Sequence, residues 1–166
     1  MTEGHTGPGD GGANRVSKLS RDGRFIKSWG QTGAGPGEFN APHTIAMDAR
    51  GRLFVGDRSN NRIQIFDREG NLIAIWEQFG RPSGISITSD DTIYVADSES
   101  WGPDQPGWKK GIRIGSARDG SVDYFIEDIE STTVEHSGAE GVGVDQHGNV
   151  YGAVVRRRML EKFVKP

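Results

Sequence analysis

The chain has 166 residues, one domain's worth on length alone. It holds 25 Gly, roughly twice the usual share of about 7%, with 26% charged residues, a net charge of −3 and no Cys. Such a chain is rich in tight turns and poor in long helices or coiled coils. Its charge carries no general nucleic-acid footprint, and disulfides, thiolate zinc sites and a Cys nucleophile are excluded. No run reaches the length of a transmembrane helix, so no membrane partner is expected. The first thirty residues hold no apolar signal-peptide core, so the expected location is cytoplasmic.

Residues 1–13 are Gly-rich, include His5, Pro8 and Asp10, and read as a flexible lead-in. From residue 14 a repeat governs the chain. Gly51-Arg52-Leu53-Phe54-Val55-Gly56-Asp57 recurs as Asp91-Thr92-Ile93-Tyr94-Val95-Ala96-Asp97 and again as Gly148-Asn149-Val150-Tyr151-Gly152-Ala153-Val154. Asn14-Arg15-Val16 answers Asn61-Arg62-Ile63, and Trp29 answers Trp76. A period of roughly 40–50 residues with short alternating apolar runs is the signature of four-stranded propeller blades.

With the strands of a unit named a to d, the predicted elements follow in chain order. Residues 15–20 and 24–29 are strands c and d. A full unit has a at 44–48, b at 52–56, c at 62–67 and d at 71–77. A second has a at 84–88, b at 92–96, c at 112–116 and d at 121–127. The chain closes with a at 141–145, b at 149–154 and c at 159–164. Pairs such as Ile63 with Ile65, or Leu53 with Val55, place apolar residues on one strand face. Asp-Gly or Glu-Gly in the c–d turns supplies positive φ for a hairpin. Residue identities copied at fixed offsets favour a propeller over an evenly spaced β-sandwich. The predicted propeller region is thus 14–166, divided into 14–30, 40–78, 82–127 and 139–165.

The stretch Gly35-Pro36-Gly37-Glu38-Phe39-Asn40-Ala41-Pro42-His43-Thr44, running on to Asn60-Asn61-Arg62-Ile63-Gln64-Ile65-Phe66, resembles the NHL repeat. Over residues 14 to 166 the chain looks like the C-terminal half of the bacterial relatives of peptidyl-hydroxyglycine lyase, which cleaves hydroxyglycine-extended peptides to amides and glyoxylate. The resemblance implies an all-β, six-bladed propeller with NHL-type four-stranded blades and an axial metal, zinc or calcium. About three blades belong to this chain.

In a propeller, strand a lines the channel and its first residues face the mouth. Those positions align as Pro42-His43-Thr44, Pro82-Ser83-Gly84 and Ala139-Glu140-Gly141. Within the resemblance, His43 falls on a zinc-ligating position, where neutral imidazoles hold a metal that polarises the substrate hydroxyl. A plain alternative is a hydrogen bond from His43 to a neighbouring loop carbonyl. The lyase pattern is broken elsewhere. Glu140 replaces a second ligand His, Gly141 replaces a calcium-binding Asp, and small residues stand before Asn14-Arg15 where a Tyr is implied. His43 with Glu140 is the remaining metal candidate. His136 and His147 match no motif and read as turn or solvent-facing residues.

The insertion from Asp97 to Gly111 opens on the same face as His43, Ser83 and Glu140. Its Trp101 and Trp108 are candidate ligand walls, or packing residues of the loop itself. Arg156-Arg157-Arg158 reads as a solvated basic turn, and Asp57, Arg58 and Asp97 as strand-end residues that bond turn amides. Two functional classes follow: a binding propeller that takes a peptide, protein or small-molecule ligand on its loop face, and a metal-dependent lyase or hydrolase. The missing Tyr and His favour the first.

Three blades cannot close a ring, so a homodimer completing six blades is expected. The shared blade would place strand 24–29 beside the partner's strand 159–164, with strand 15–20 outermost. Light scattering checks this: a dimer is expected, and a stable monomer of 18.1 kDa at micromolar concentration refutes it.

Overall fold

The computed structural model describes residues 1–4, 13–101, 105–131 and 138–164. It contains four antiparallel sheets in succession. Strands β1 (Thr2–Glu3), β2 (Arg15–Leu19) and β3 (Phe25–Trp29) form the first. The second holds β4 (Pro42–Met47), β5 (Leu53–Asp57), β6 (Arg62–Phe66) and β7 (Leu72–Trp76). The third holds β8 (Pro82–Ile87), β9 (Thr92–Asp97), β10 (Gly111–Ser116) and β11 (Val122–Glu127). The last holds β12 (Ala139–Val144), β13 (Val150–Val154) and β14 (Met159–Phe163), with no strand outside β14 among the described residues. The first strands of successive sheets abut, β4 on β8 and β8 on β12, so these three run along one common side. Among the described residues no helix is long and apolar enough to cross a membrane.

Strands b, c and d fall within a residue of their predicted bounds. Strands a begin two residues earlier than predicted, at Pro42, Pro82 and Ala139. The clearest correction concerns the lead-in. Thr2 pairs with Val16 and Glu3 with Arg15, the Glu3 carboxylate takes the Arg15 guanidinium at 3.1 Å, and Gly4 is buried. Residues 1–4 are therefore structural, while residues 5–12, with His5, Pro8 and Asp10, lie outside the described residues. β1 also touches β4, so β1 lies on the common inner side of this sheet and β3 is outermost. That is the reverse of the order expected for a shared blade with strand 15–20 outside, because β1 already occupies the inner edge of β2.

The turns explain why the chain reverses where it does. In the hairpin after β4, the Asp48 carboxylate accepts from the backbone N–H of Arg50 (3.0 Å) and Arg52 (2.8 Å), and Gly51 sits at φ 83°. Asp67 does the same for Glu69 and Asn71 with Gly70 at φ 83°. Asp145 repeats it for His147 and Asn149 with Gly148 at φ 79°. A side-chain acceptor two and four residues ahead of its donors, with Gly in the left-handed position, closes a three-residue hairpin loop at little strain.

Each sheet packs on the next through its own small core. Val16, Phe39, Val55 and Phe66 join the first sheet to the second. Phe54, Ile63 and Ile65 meet Phe79, Ile93 and Val95 between the second and third. Ala96 and Ile112 meet Ala139, Val150 and Val154 between the third and fourth. Phe54 and Val55 are adjacent in β5 and both fully buried, because successive side chains point to opposite faces. The middle sheets are thus covered on both faces.

At the end of β5 the buried Asp57 accepts from Arg62 Nε at 2.7 Å, from the backbone N–H of Asn40 at 2.7 Å and from Asn60 Nδ2 at 2.9 Å. Arg62 passes its other N–H groups to the carbonyls of Ala34 (2.8 Å), Gly35 (2.8 Å) and Glu38 (3.0 Å). Asp97 repeats the device, accepting from Arg113 Nη1 at 2.9 Å and from the backbone N–H of Arg81, Glu99 and Ser100. Burial pushes the Asp97 carboxyl up from its ordinary value, and Arg113 opposes that push.

Removing one partner of such a pair leaves a charge buried alone. Asp57→Ala is expected to lose about 3–5 kcal/mol of stability, read as a shifted urea midpoint with unchanged slope.

Asp145 supplies a pH test. The Asn149 side-chain amide at 2.7 Å leads the causes that hold its carboxyl well below the usual carboxylate range, with the His147 and Asn149 amides and the Tyr151 hydroxyl adding to it. A depressed folded value means stability present above the unfolded pKa of about 3.9 and lost as pH falls through the folded one. A carboxyl-carbon NMR titration should give Asp145 a midpoint below that of an ordinary Asp, and Asn149→Ala should move it back up.

Candidate ligand-binding face

Three β-bulges build the mouth. In β4 against β5, Pro42 pairs with Asp57 and Thr44 with Gly56, so His43 is the extra residue. In β8 against β9, Pro82 pairs with Asp97 and Gly84 with Ala96, leaving Ser83 extra. In β12 against β13, Ala139 pairs with Val154 and Gly141 with Ala153, leaving Glu140 extra. A bulge re-aims one side chain without breaking the ladder beyond it. The residues that the sequence aligns at the start of strand a therefore share one local geometry, although they differ in chemistry.

His43 is half-buried, and its Nδ1 lies 2.8 Å from the Ser83 carbonyl oxygen. A carbonyl only accepts, so Nδ1 carries a proton there. The carbonyl alternative is thus realised. The buried Ser83 hydroxyl shares a 2.9 Å hydrogen bond with Ser98 at the end of β9, which ties it to the insertion. Glu140 is half-buried. β8 runs between β4 and β12, so His43 and Glu140 stand on strands that are not neighbours. Among the described residues no three His, Asp or Glu side chains gather into a metal-holding group.

The connections entering strands a and those joining b to c open on this same face. Glu99 crosses between them, pairing with Arg58 at 3.2 Å and Arg81 at 2.7 Å while remaining 7% exposed at its side chain. Trp101 is half-buried with Lys110 Nζ 5.8 Å from its ring centre. Lys110 itself is fully buried. Burial draws its ammonium pKa down, against the attraction of Asp128, Glu130 and Asp97. Trp108 is 36% exposed. Arg113 stacks 4.7 Å from the Trp108 ring and 4.7 Å from that of Phe125, so the loop tryptophan is held by the same guanidinium that neutralises Asp97. Pro103 and Asp104 of the insertion, and His136, lie outside the described residues.

The Arg156–Arg158 turn is partly absorbed by the fold. Arg157 makes a two-pronged bond to Asp128 (2.9 and 2.8 Å) and a third to Glu161 (2.8 Å). The bond to Asp128, together with that to Glu161, drives its pKa up despite burial. Asp57 and Asp97 bond turn amides as expected, whereas Arg58 pairs with Glu99. The sequence did not single out Glu99, Arg81 or the buried Lys110. No local signal marks them, because a Lys beside an apolar strand usually keeps its ammonium in water, whereas Lys110 is fully buried.

A cavity of about 290 Å³ opens on this face between the second and third sheets. Asn60, Asn61, Glu77, Gln105 and Trp108 line it. A larger groove of about 790 Å³ runs between β10–β11 and β13–β14, with Tyr94, Ile114, Tyr124, Ile126, Val150 and Phe163 on its walls.

Comparison with known proteins agrees with this geometry. The NHL repeat profile matches residues 39–66 and 79–100, the segments that carry the loop before β4 through β6 and the loop before β8 through β9. The chain is 47% identical over 53 residues to NHL repeat-containing protein 3 of Homo sapiens, a match spanning 31% of this chain and 15% of that protein. Virginiamycin B lyase from Staphylococcus aureus superposes with a TM-score of 0.62 at 16% identity, over 93% of this chain and 50% of that one. The WD40 β-propeller domain of Doa1 superposes with a TM-score of 0.58 at 14% identity, over 92% and 47%. The chain thus spans about half the length of these solved structures, and at such identities the likeness is one of fold. It is an all-β chain of four antiparallel sheets that carries NHL repeats and has propellers as its structural neighbours.

Proposed function

We propose that this chain is a non-catalytic binding module whose loop face takes a peptide, protein or small-molecule ligand. The observation that supports this most is the repeated bulge. Three successive strands open with a re-aimed residue, and these are a His, a Ser and a Glu rather than a matched set of metal ligands. Ser83 is turned to Ser98, which leaves His43 and Glu140 at the mouth with Trp101 and Trp108 on the adjoining insertion. An imidazole, a carboxylate and large rigid rings on one face make a recognition surface. Selection from a random-peptide display library tests it. Enriched peptides are expected to lose binding to His43→Ala and Trp101→Ala and to keep it with Arg118→Ala, which changes a turn on the opposite face. Binding indifferent to the loop-face changes overturns the reading.

His43 and Glu140, each the extra residue where its strand opens, support a second reading, a metal-dependent lyase or hydrolase. His43 with Glu140 would hold zinc or calcium, and the metal would polarise a substrate hydroxyl. Under the binding reading, a hydroxyglycine-extended peptide releases no glyoxylate with or without added zinc. Turnover of about 1 per second or faster, with stoichiometric zinc in the wild type and none in His43→Ala, reinstates the enzyme.

Association of two copies belongs to the same proposal. The unpaired outer edge of β14, beside an apolar-walled groove, supports it.

A further inference from the structure

We propose that Arg58 and Arg81 form a carboxylate-binding site on the loop face, which takes a C-terminal or an acidic side-chain carboxylate of a peptide ligand. The inference rests on the loop-face reading and names what one part of that face recognises.

Three segments bring the site together. Arg58 opens the turn after β5, Arg81 is the last residue before β8, and Glu99 lies in the insertion that follows β9. Arg58 Nη1 stands 3.2 Å from Glu99 Oε1, and Arg81 Nη2 stands 2.7 Å from Glu99 Oε2. Both contacts end on one carboxylate, so the two guanidinium groups stand side by side. Arg81 closely precedes the bulged Ser83, whose carbonyl takes the His43 ring. The pair therefore borders the bulged residues of the mouth.

What sets this pair apart is how little its donors are engaged. Arg62 gives to Asp57 and to the carbonyls of Ala34, Gly35 and Glu38. Arg157 gives to both oxygens of Asp128 and to Glu161. Arg113 gives to Asp97 and to the Lys109 carbonyl, and it stacks on the rings of Trp108 and Phe125. The guanidinium groups of Arg58 and Arg81 share Glu99 and have no other partner among the described residues. Their side chains are 13% and 24% exposed, so both are largely desolvated yet still reach the surface. Each Nε is sealed from solvent, whereas the terminal amino groups are not. Those amino groups are what a ligand meets. A charge that is mostly out of water, with donors unmatched, is costly until an acceptor reaches it.

Charge sets the class of ligand. Two guanidinium groups face one carboxylate, so the pair carries one positive charge in excess. Asp57 and Asp97 are taken by Arg62 and Arg113. The exposed Glu77 forms no ion pair with either arginine. One excess charge suits a monoanion, while a phosphate dianion would crowd negative charge against Glu99. A planar carboxylate also matches the paired N–H groups of a guanidinium.

The test titrates the protein with acetyl-Gly-Glu-Gly-amide, its glutamine counterpart, acetyl-Gly-Gly-Gly with a free C-terminus, and inorganic phosphate. Binding is followed by calorimetry and by the Nε–H resonances of Arg58 and Arg81, assigned with Arg58→Gln and Arg81→Gln. At least one carboxylate peptide is expected to shift both resonances. It should bind at least about fivefold tighter than the glutamine peptide, the size of a partly exposed charge-assisted contact. Which of the two binds tells a side-chain carboxylate from a chain end. Arg81→Gln should erase the preference. Glu99→Gln keeps the shape and removes the competing negative charge, so it should tighten carboxylate binding. A pair that only fastens the insertion gives no such gain, and this variant decides the matter if loss of an arginine unfolds the chain. Equal binding of carboxylate and amide peptides, a preference that survives Arg81→Gln, or carboxylate binding that fails to tighten in Glu99→Gln each overturns the proposal. So does a shift produced by phosphate and by neither carboxylate peptide. If display-selected peptides lose binding to His43→Ala and Trp101→Ala but keep it with Arg81→Gln, the carboxylate assignment falls alone and the binding-module reading stands.

Discussion

The pairing of a buried Asp at the end of strand b with an Arg at or near the start of strand c is the constraint on which this molecule depends. Asp57 and Arg62 reach three separate segments at once: their own two strands, and the backbone of the preceding connection at Ala34, Gly35, Glu38 and Asn40. A buried carboxylate is tolerated only when its oxygens are filled. The requirement runs in both directions, because the connection must come close enough to donate and so cannot wander. Asp97 and Arg113 impose the same discipline one unit later and also hold Trp108. The last unit has Val154 where the Asp stood, and its Arg157 takes Asp128 and Glu161 instead.

That anchoring is what aims the bulged residues. Each bulge lies one residue past the point where strand a pairs with the end of strand b, at Pro42 with Asp57, Pro82 with Asp97 and Ala139 with Val154. At the first two bulges a polar pair sits directly behind the mouth, whereas Ala139 and Val154 at the third belong to the core between the third and fourth sheets. The bulged residues themselves belong to none of the inter-sheet cores, so chemistry at the mouth is free to vary. This explains how His43, Ser83 and Glu140 occupy one geometry with three different side chains.

Strand identities and most of their bounds were readable because period-two alternation and Asp-Gly or Glu-Gly turns are local signals. His147 in its hairpin turn and the turn-bonding Asp57 and Asp97 were legible for the same reason. Thr2–Glu3 was not, since two residues carry no periodicity and their pairing with Arg15 and Val16 is decided across a gap of more than ten residues. The two-residue advance of each strand a was hidden by the bulge, which breaks the alternation that sequence reading relies on. The cavity lined by Asn60, Glu77, Gln105 and Trp108 draws on positions up to 48 apart, and nothing in any one segment announces the others.

By itself, then, the sequence determined the repeat, the strand order within each unit, the turn chemistry, and the alignment of His43, Ser83 and Glu140. These follow from near-neighbour sterics and from identities copied at a fixed period. Tertiary structure alone decided which charges are spent and which remain. Arg157, Arg58 and Lys110 look alike in sequence to any surface cation, yet packing pairs the first two and buries the third. Glu99 resembles any surface carboxylate, yet it alone faces both Arg58 and Arg81. Whether a charge finds its partner depends on distances between segments far apart in the chain, and those distances are set only when the sheets pack.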